Sequence, residues 1–207
     1  MTGGRALLPD LDVSRETWGR LELYDSLLRK WNPAINLVSR TTLDDIWARH
    51  FLDSAQLFML APNAARLWAD LGAGGGFPGL VIAILAQELR PGLSVTLVES
   101  DQRKCTFLRE VARQTGTPVT VLTQRAEDLP PLHADIVSAR ALAPLRDLLH
   151  LAERHLTPGG TALFLKGANH DAELSDALET FRFTFQKRAS QTDPQAVILA
   201  IGDLARE

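Results

Sequence analysis

The periodicity of apolar residues changes near residue 67 of this chain. Before that position, apolar side chains recur at helical spacing over residues 14–31, and Asn32-Pro33 is expected to stop this first helix. Residues 42–60 have a capped start and predict a second helix. Beyond residue 67, short apolar runs alternate with amphipathic segments. The pattern therefore predicts two helices in front of a region in which strands and helices alternate.

The alternating region predicts a single layered sheet. Strands that alternate with helices pair in parallel and form a doubly wound sheet. The last two strands are joined by the short turn Thr192-Asp-Pro and predict an antiparallel hairpin. The predicted fold is α/β, with a mostly parallel, seven-stranded, Rossmann-like sheet (63–207) and an N-terminal helical extension (1–62) in one compact unit. Strands are predicted near 67–71, 94–99, 118–123, 134–139, 161–166, 182–190 and 195–202, and helices near 78–89, 102–115, 141–156 and 169–181.

The junction between the first strand and the following helix is the most informative segment. A short apolar strand ends in Asp70, and Pro78 precedes the next apolar run. Because glycine has no side chain, a glycine turn between strand and helix lets backbone amides touch a nucleotide-like ligand. The turn lacks the lysine and hydroxyl residue of a phosphate-binding P-loop. The glycines that fill it are Gly72, Gly74, Gly75 and Gly76.

Two acidic residues narrow the choice of ligand. Asp70 lies at the mouth of the glycine turn, where it would repel a pyrophosphate but suit a cation such as S-adenosylmethionine. Glu99 ends the next predicted strand, where a carboxylate can accept both ribose hydroxyls. That contact is shared by NAD and S-adenosylmethionine, so Glu99 supports an adenosine ligand without choosing between them. The terminal hairpin favours S-adenosylmethionine, because such a sheet is typical of methyltransferases that use it.

Composition limits the location and the chemistry. No apolar run reaches the roughly 18 residues of a membrane span, and the first apolar stretch is too short for a signal peptide, so we expect a cytoplasmic protein. A single cysteine, Cys105, excludes a disulfide framework and a cysteine-based zinc site, and no metal is expected. The net charge of −3 does not indicate nucleic acid. However, Arg125, Arg140 and Lys166 fall near strand ends, where substrates bind such sheets.

The residues near the fourth strand limit which atom a methyltransferase could modify. A pyrimidine C5 needs a thiol nucleophile, and the only thiol, Cys105, lies on a helix where we expect it to be packed. The loop Ser138–Pro144 lacks the Asn/Asp-Pro-Pro-aromatic pattern that is common for exocyclic amines. A ring nitrogen such as guanine N7 needs neither a thiol nor a general base. Arg140 could hold the neighbouring base edge or a phosphate, or could simply form a salt bridge at a helix start.

The chain resembles the bacterial glucose-inhibited division protein B family, the 16S rRNA guanine-N7 methyltransferases, from about residue 20 to about residue 167. Six segments carry the resemblance: Trp31-Asn-Pro-Ala-Ile-Asn-Leu37, Arg49-His-Phe-Leu-Asp-Ser54, Asp70-Leu-Gly-Ala-Gly-Gly-Gly-Phe-Pro-Gly79, Arg125-Ala-Glu127, Ser138-Ala-Arg-Ala141 and Leu165-Lys-Gly167. The resemblance implies methylation of one guanine N7 near the decoding site of the small ribosomal subunit, with S-adenosylmethionine as the methyl donor.

The resemblance also implies roles for individual residues. Arg140 would lie beside the reactive centre and act by positioning, with no general base. RNA contacts are implied for Arg125 and Lys166 and, from the N-terminal helices, for Asn36 and His50, although His50 could equally be a buried, hydrogen-bonded residue. The cofactor site would comprise Asp70, Gly72, Gly74, Gly76, Phe77, Glu99, Ala126, Glu127 and Arg140, with Ala126 and Glu127 at the adenine end.

Two features depart from the family pattern. Ala73 replaces a hydroxyl residue in the glycine turn, and the chain ends in Ile201-Gly-Asp-Leu-Ala-Arg-Glu207, where relatives often finish with basic residues. With few cations to bind phosphates, the chain is expected to act on 16S rRNA within the 30S subunit or its precursor, and as a monomer. Two alternatives stay open: a methyltransferase of the same fold that modifies a small molecule or a protein, and a non-catalytic module that binds RNA or a nucleotide.

Overall fold

The structure, a computed structural model, describes residues 12–206. Residues 1–11, which begin the predicted N-terminal extension, and Glu207 lie outside the described residues. The first helix, α1 (Arg15–Ile35), is capped by the Ser14 hydroxyl, as expected, but it runs past Pro33. The prediction that Asn32-Pro33 stops it was wrong.

The end of α1 is organised by the side chain of Asn32. Its Oδ1 accepts hydrogen bonds from the backbone N–H groups of Leu37 and Val38, at 2.7 and 2.8 Å. The helix continues through Pro33 until Asn36, whose left-handed backbone conformation ends it. Because Asn32 satisfies the amides just beyond the helix, the chain turns sharply at Asn36 and brings Leu37 over the glycine turn.

The second predicted helix is divided into three short segments. A 3₁₀ turn (Arg40–Thr42) is followed by a π-helix (Trp47–Leu52) and then by α2 (Asp53–Leu60). The expectation of one continuous helix over residues 42–60 was therefore wrong. The wider π-helical turn carries Arg49, His50 and Phe51, and π-helical insertions are frequent at functional sites.

Within residues 12–206 the sheet has seven strands in the order β3-β2-β1-β4-β5-β7-β6. Strands β1 to β5 pair in parallel, whereas β7 is antiparallel to both β5 and β6, which confirms the predicted fold class and terminal hairpin. The strands are β1 (Leu67–Leu71), β2 (Ser94–Val98), β3 (Thr120–Leu122), β4 (Ala134–Arg140), β5 (Leu156–Lys166), β6 (Phe181–Ala189) and β7 (Val197–Arg206). The remaining helices are α3 (Gly79–Leu89), α4 (Gln102–Thr115), α5 (Leu145–His155) and α6 (His170–Leu178).

Two helical layers cover the sheet and divide the core. One cluster of buried side chains joins α1, the π-helix, α2, α3 and α4 to one face, and a second joins α5 and α6 to the other. Helix α1 thus packs into the same core as the sheet, while the division at residue 62 stays a prediction. None of the helices in the described part of the chain is long and apolar enough to cross a bilayer.

Several element boundaries differ from the predicted ones. Helix α5 begins at Leu145 and not at residue 141, because residues 141–144 form a loop at the end of β4. Strand β5 begins at Leu156, earlier than predicted, and β7 extends to Arg206. The residues between β4 and α5 therefore belong to the loops at the ligand-binding edge of the sheet.

Candidate active site

The glycine turn is shaped by the backbone and by tight packing. Gly72 and Gly76 have φ values of 68° and 98°, which an L side chain rarely adopts. A Cβ built at Gly76 would lie 2.5 Å from the Tyr24 hydroxyl. That hydroxyl donates a 2.5 Å hydrogen bond to the carbonyl of Gly75, so α1 holds the turn from below.

A cleft of about 390 Å³ opens above the turn, at the carboxyl ends of β1, β2 and β4. Its volume lies in the range of small-molecule sites. Among the residues predicted to hold a cofactor, those that line it are Gly72, Gly74, Phe77, Glu99, Ala126, Glu127 and Arg140. Arg125 also lines the cleft, whereas Asp70 and Gly76 do not. The structure thus gathers residues from four separate sequence segments around one space.

Glu99 is held in the cleft by backbone amides. One carboxylate oxygen accepts from the N–H of Gly74 at 2.9 Å, and the other accepts from the N–H of Asp101 at 2.8 Å. The side chain is largely buried, so its orientation is fixed before any ligand enters. Each carboxylate oxygen retains a further lone pair for a hydroxyl donor. Cys105, the only thiol, is buried beneath and donates to the carbonyl of Glu99 at 3.1 Å, as expected of a packed residue.

Asp70 is located behind the glycine turn and not at the mouth of the cleft. Its carboxylate accepts from the Ser138 hydroxyl at 2.7 Å and from the N–H of Gly79 at 2.9 Å. Burial raises the pKa of this carboxyl to about 7, and the two hydrogen bonds offset part of that effect. Asp70 therefore connects β1, β4 and the start of α3. This corrects the expectation that Asp70 and Glu99 both face the ligand.

Arg140 is the cationic residue that the fold places deepest in the cleft. Its guanidinium lies 5.1 Å from the centre of the Phe77 ring and donates to the carbonyl of Arg49 at 3.2 Å. Burial lowers the pKa of Arg140, while the charge of Asp53 opposes that shift. An arginine stays charged in such an environment. Arg140 thus gives the cleft an oriented cation with donors left for a ligand, in addition to Lys104 and Arg125 in the lining.

His50 is buried against the floor of the cleft. Its ring lies 5.0 Å from that of Phe77, and its Nε2 is 2.8 Å from the Thr42 hydroxyl. Burial, followed by the charges of Arg140 and Arg49, lowers the pKa of His50 to about 3. The sequence left open whether His50 contacts RNA or is a buried, hydrogen-bonded residue. Its surroundings in the structure are those of a buried, hydrogen-bonded residue.

The Lys166 side chain is buried, whereas the resemblance implied that it would face RNA. Its side chain is only 8% exposed, and its ammonium group lies 2.5 Å from the Glu173 carboxylate on α6. The strand alternation of β5 turns Lys166 toward the α5–α6 layer, so packing and not the surface surrounds it. Asn36 and Arg125 are exposed, and Asn36 precedes Leu37, which lines the cleft.

Several further residues line the cleft that the sequence did not identify as site residues. Ser100 and Lys104 follow the end of β2, and Gln124 follows β3. Their position just beyond parallel strands could have identified them, because ligands bind at that edge. Leu142 and Leu37 add an apolar rim that no local pattern indicates.

Comparison with known proteins shows the family to which this chain belongs. The family described as rRNA small subunit methyltransferase G matches residues 18–195. The chain belongs to this family. It is 52% identical over 206 residues to a ribosomal RNA small subunit methyltransferase G of Ruegeria sp. (strain TM1040), with all of both chains covered. It is 55% identical over 193 residues to the protein of that name from Rhodospirillum centenum, which covers 93% of this chain and 87% of the relative.

Solved structures show the same fold at low sequence identity. A methyltransferase from Geobacter sulfurreducens has a TM-score of 0.58 at 16% identity and covers 93% of this chain and 90% of its own. TYW2 of P. horikoshii, solved in complex with MeSAdo, has a TM-score of 0.52 at 14% identity, with 76% and 62% covered. This member of the methyltransferase G family is therefore an S-adenosylmethionine-dependent methyltransferase with a Rossmann-like sheet. A non-catalytic module is not favoured.

Proposed function

We propose that this protein transfers a methyl group from S-adenosylmethionine to N7 of one guanine in 16S rRNA, near the decoding site of the small subunit. Membership of the methyltransferase G family carries the proposal. The open cleft with Arg140 inside it and the exposed Arg125 at its edge suits an anionic polymer better than an enclosed small-molecule pocket would. We infer a cytoplasmic location, because bacterial ribosomal RNA is found there, and the monomeric state stays a prediction.

The residues of the cleft fit the proposed methyl donor. The backbone of Gly74 leaves room for a close approach, with Gly72 beside it under the Leu142 side chain, and the Glu99 carboxylate is oriented to accept ribose hydroxyls. Ala126 and Glu127 form the side of the cleft expected for adenine. When bound, S-adenosylmethionine supplies a methyl group activated by a positively charged sulfur. The buried Asp70 is proposed to support the site by holding the turn.

Arg140 is proposed to hold the guanine. Its guanidinium can donate to O6 of the base, while the N7 lone pair is left free to attack the methyl carbon. That lone pair forms the new carbon–nitrogen bond, and the electrons of the broken carbon–sulfur bond stay on sulfur. No proton needs to leave N7, so the site needs no general base. Positioning then supplies much of the rate.

The RNA is proposed to bind across the cleft edge, where Asn36 and Arg125 are exposed. The net charge of −3 makes strong binding to short RNA unfavourable. A folded ribosomal particle would compensate for this weak binding by presenting the RNA loop that contains the target guanine in a fixed geometry. We therefore propose the 30S subunit or its precursor as the substrate. Lys166 and His50 are buried and are not included in this surface.

The proposal is tested with 30S subunits that lack 7-methylguanosine, purified from a strain without the corresponding gene. Incubation with the full-length protein and S-adenosylmethionine should restore one 7-methylguanosine, which mass spectrometry of digested 16S rRNA locates. The Arg140→Ala variant is expected to bind S-adenosylhomocysteine but to lose most turnover. Methyl transfer to another nucleoside, or to ribosomal protein only, would refute the proposed acceptor.

A further inference from the structure

The loop of residues 141–144 forms one wall of the cofactor cleft. Ala141 and Leu142 line the space, and the Leu142 side chain covers Gly72, since a Cβ built on that glycine would lie 2.6 Å from it. Ala141 has a φ of 51°, a conformation that costs energy for a residue other than glycine. The shape of this wall must therefore be held by groups outside the loop.

Two charged side chains hold the loop from behind. The Lys166 ammonium donates to the carbonyl of Ala143 at 3.0 Å. The Glu173 carboxylate accepts from the N–H of Leu145 at 2.6 Å and lies 2.5 Å from Lys166. The ion pair thus forms hydrogen bonds to the backbone on both sides of Pro144, at Ala143 and at Leu145. Hydrogen bonds to charged groups are stronger than neutral ones, which suits them to fix a strained loop.

The geometry of the sheet separates this pair from the ligand side of the cleft. Arg140 on β4 is paired with Leu165 on β5, and Leu165 packs on the face covered by α1 and α3. Because side chains alternate along a strand, the next residue, Lys166, points to the opposite face. There it meets α5 and α6, where its charge is compensated by Glu173. Lys166 can therefore influence the cleft only through the loop.

We propose that Lys166 and Glu173 are positioning residues, which act as an ion pair to hold the loop of residues 141–144 so that Leu142 forms a fixed wall for the methyl donor. A wall that is fixed before the ligand binds loses little freedom on binding, and this raises affinity. Neither residue is among those that line the cleft. The proposal deepens the methyltransferase assignment and does not depend on which RNA is modified.

The main test is the double variant Lys166→Met with Glu173→Gln. It removes both charges together, so no unpaired buried charge is left to unfold the protein. The Kd for S-adenosylhomocysteine, measured by calorimetry, should rise about tenfold, within the range found for residues in one hydrogen-bond network. The KM for S-adenosylmethionine should rise in parallel. The KM for 30S subunits and the unfolding temperature without ligand should change little.

Asp171→Asn is the matched control. Asp171 and Glu173 both lie in the first turn of α6, so either change removes one negative charge from the same helix end. Asp171 is exposed and pairs with Lys187 on β6, away from the loop. The control should leave the Kd for S-adenosylhomocysteine unchanged. An equal rise in the control and in the double variant would overturn the proposal, because helix electrostatics would then explain both.

A second variant, Leu142→Ala, tests the wall directly and decides the matter if the double variant does not fold. Leu142 is 41% exposed, so its truncation should leave the fold intact while weakening S-adenosylhomocysteine binding. Normal affinity in Leu142→Ala would overturn the proposal, as would normal affinity in a folded double variant. A double variant with a raised KM for 30S subunits alone would instead place Lys166 in RNA binding. The binding of S-adenosylhomocysteine is measured without RNA. These outcomes therefore do not depend on whether 16S rRNA is the substrate.

Discussion

Individual residues in this site differ in role although they carry similar charges. Asp70 lies near the end of β1 and Glu99 directly follows β2, yet the first is bonded to Ser138 and Gly79 behind the turn, and the second reaches the cleft. Arg140 and Lys166 are the last residues of β4 and β5, and the alternation of the sheet turns them to opposite faces. Residue type and sequence position therefore suggest which residues could bind a ligand. The direction of each side chain in the fold decides which of them face the cleft.

Glu99→Ala is expected to weaken the binding of S-adenosylhomocysteine. The carboxylate is fixed by the amides of Gly74 and Asp101, and hydrogen bonds to a charged group contribute about 1.5–3 kcal/mol. Calorimetry on the purified variant measures the change directly. Gln102→Ala, an exposed position beside the cleft, serves as the control. Unchanged affinity in Glu99→Ala would exclude the proposed ribose contact.

His50 should make the fold less stable in mild acid. Its pKa of about 3 in the folded protein lies below the ordinary value of 6.5, so below pH 6.5 only the unfolded chain takes up the proton. His50 should then lower the free energy of unfolding by up to about 1.4 kcal/mol for each pH unit between 6.5 and 3. Asp70, whose pKa in the folded protein is about 7, acts in the opposite direction above pH 3.8, so the effect of His50 is measured as the difference between the wild type and His50→Gln. Urea unfolding at several pH values measures this slope. In His50→Gln the slope should be smaller, and equal slopes would contradict the assignment.

At the scale of elements, α1 and the π-helix support the glycine turn. Tyr24 on α1 bonds the Gly75 carbonyl and stacks on Phe77, with ring centres 5.2 Å apart. The π-helix supplies the Arg49 carbonyl that accepts from Arg140, and its Arg49 side chain pairs with Asp193 in the β6–β7 turn. The N-terminal helices are thus part of the floor of the site and not only a cover over it.

Tyr24→Phe is expected to loosen the turn while the ring packing is retained. The buried carbonyl of Gly75 loses its donor, which should cost about 1–3 kcal/mol of folding free energy. Urea unfolding measures this loss, and the affinity for S-adenosylhomocysteine should fall as well. Phe51→Leu, which changes a ring neighbour of Tyr24 but no hydrogen bond, separates packing from bonding. If Tyr24→Phe has normal stability and affinity, α1 does not hold the turn.

At the scale of the whole molecule, most of the cleft residues come from the carboxyl edge of the sheet, and the charge around this edge influences how RNA approaches. Exposed basic side chains near the cleft are few, and several are paired, as Arg103 is with Asp101. The 3.5 Å contact between Arg125 and Glu127 is a long one between exposed groups and contributes little. Arg125 is therefore available to a phosphate.

Arg125→Ala should raise the KM for 30S subunits and leave the Kd for S-adenosylhomocysteine nearly unchanged. If Arg125 binds one phosphate, the slope of log affinity against log salt should fall by about one unit. Methylation assays at several salt concentrations measure both effects. Arg113→Ala, an exposed arginine at the far end of α4, is the matched control. A KM that does not change would make Arg125 an ordinary solvated residue.

A naked oligonucleotide of the target loop should be a much poorer substrate than the 30S subunit. The net charge of −3 leaves little attraction for free RNA, so the geometry of the particle must supply the rest. Comparing kcat/KM for the two substrates tests this expectation. Equal values would show that the loop alone is recognised.

The sequence by itself determined the strand–helix alternation, the glycine turn, the terminal hairpin and the adenosine-type ligand, because periodicity and turn chemistry are properties of neighbouring residues. Only the tertiary structure decided that Asp70 lies behind the turn, that Lys166 is buried, and that α1 continues beyond Pro33. The end of α1 depends on a nearby contact, because Asn32 accepts from the amides of Leu37 and Val38. The positions of Asp70 and Lys166 depend on partners farther along the chain: Ser138 lies 68 positions from the carboxylate that it bonds, and Ala143 lies 23 positions from Lys166. No local pattern encodes such contacts, since they form only when the two helical layers close over the sheet.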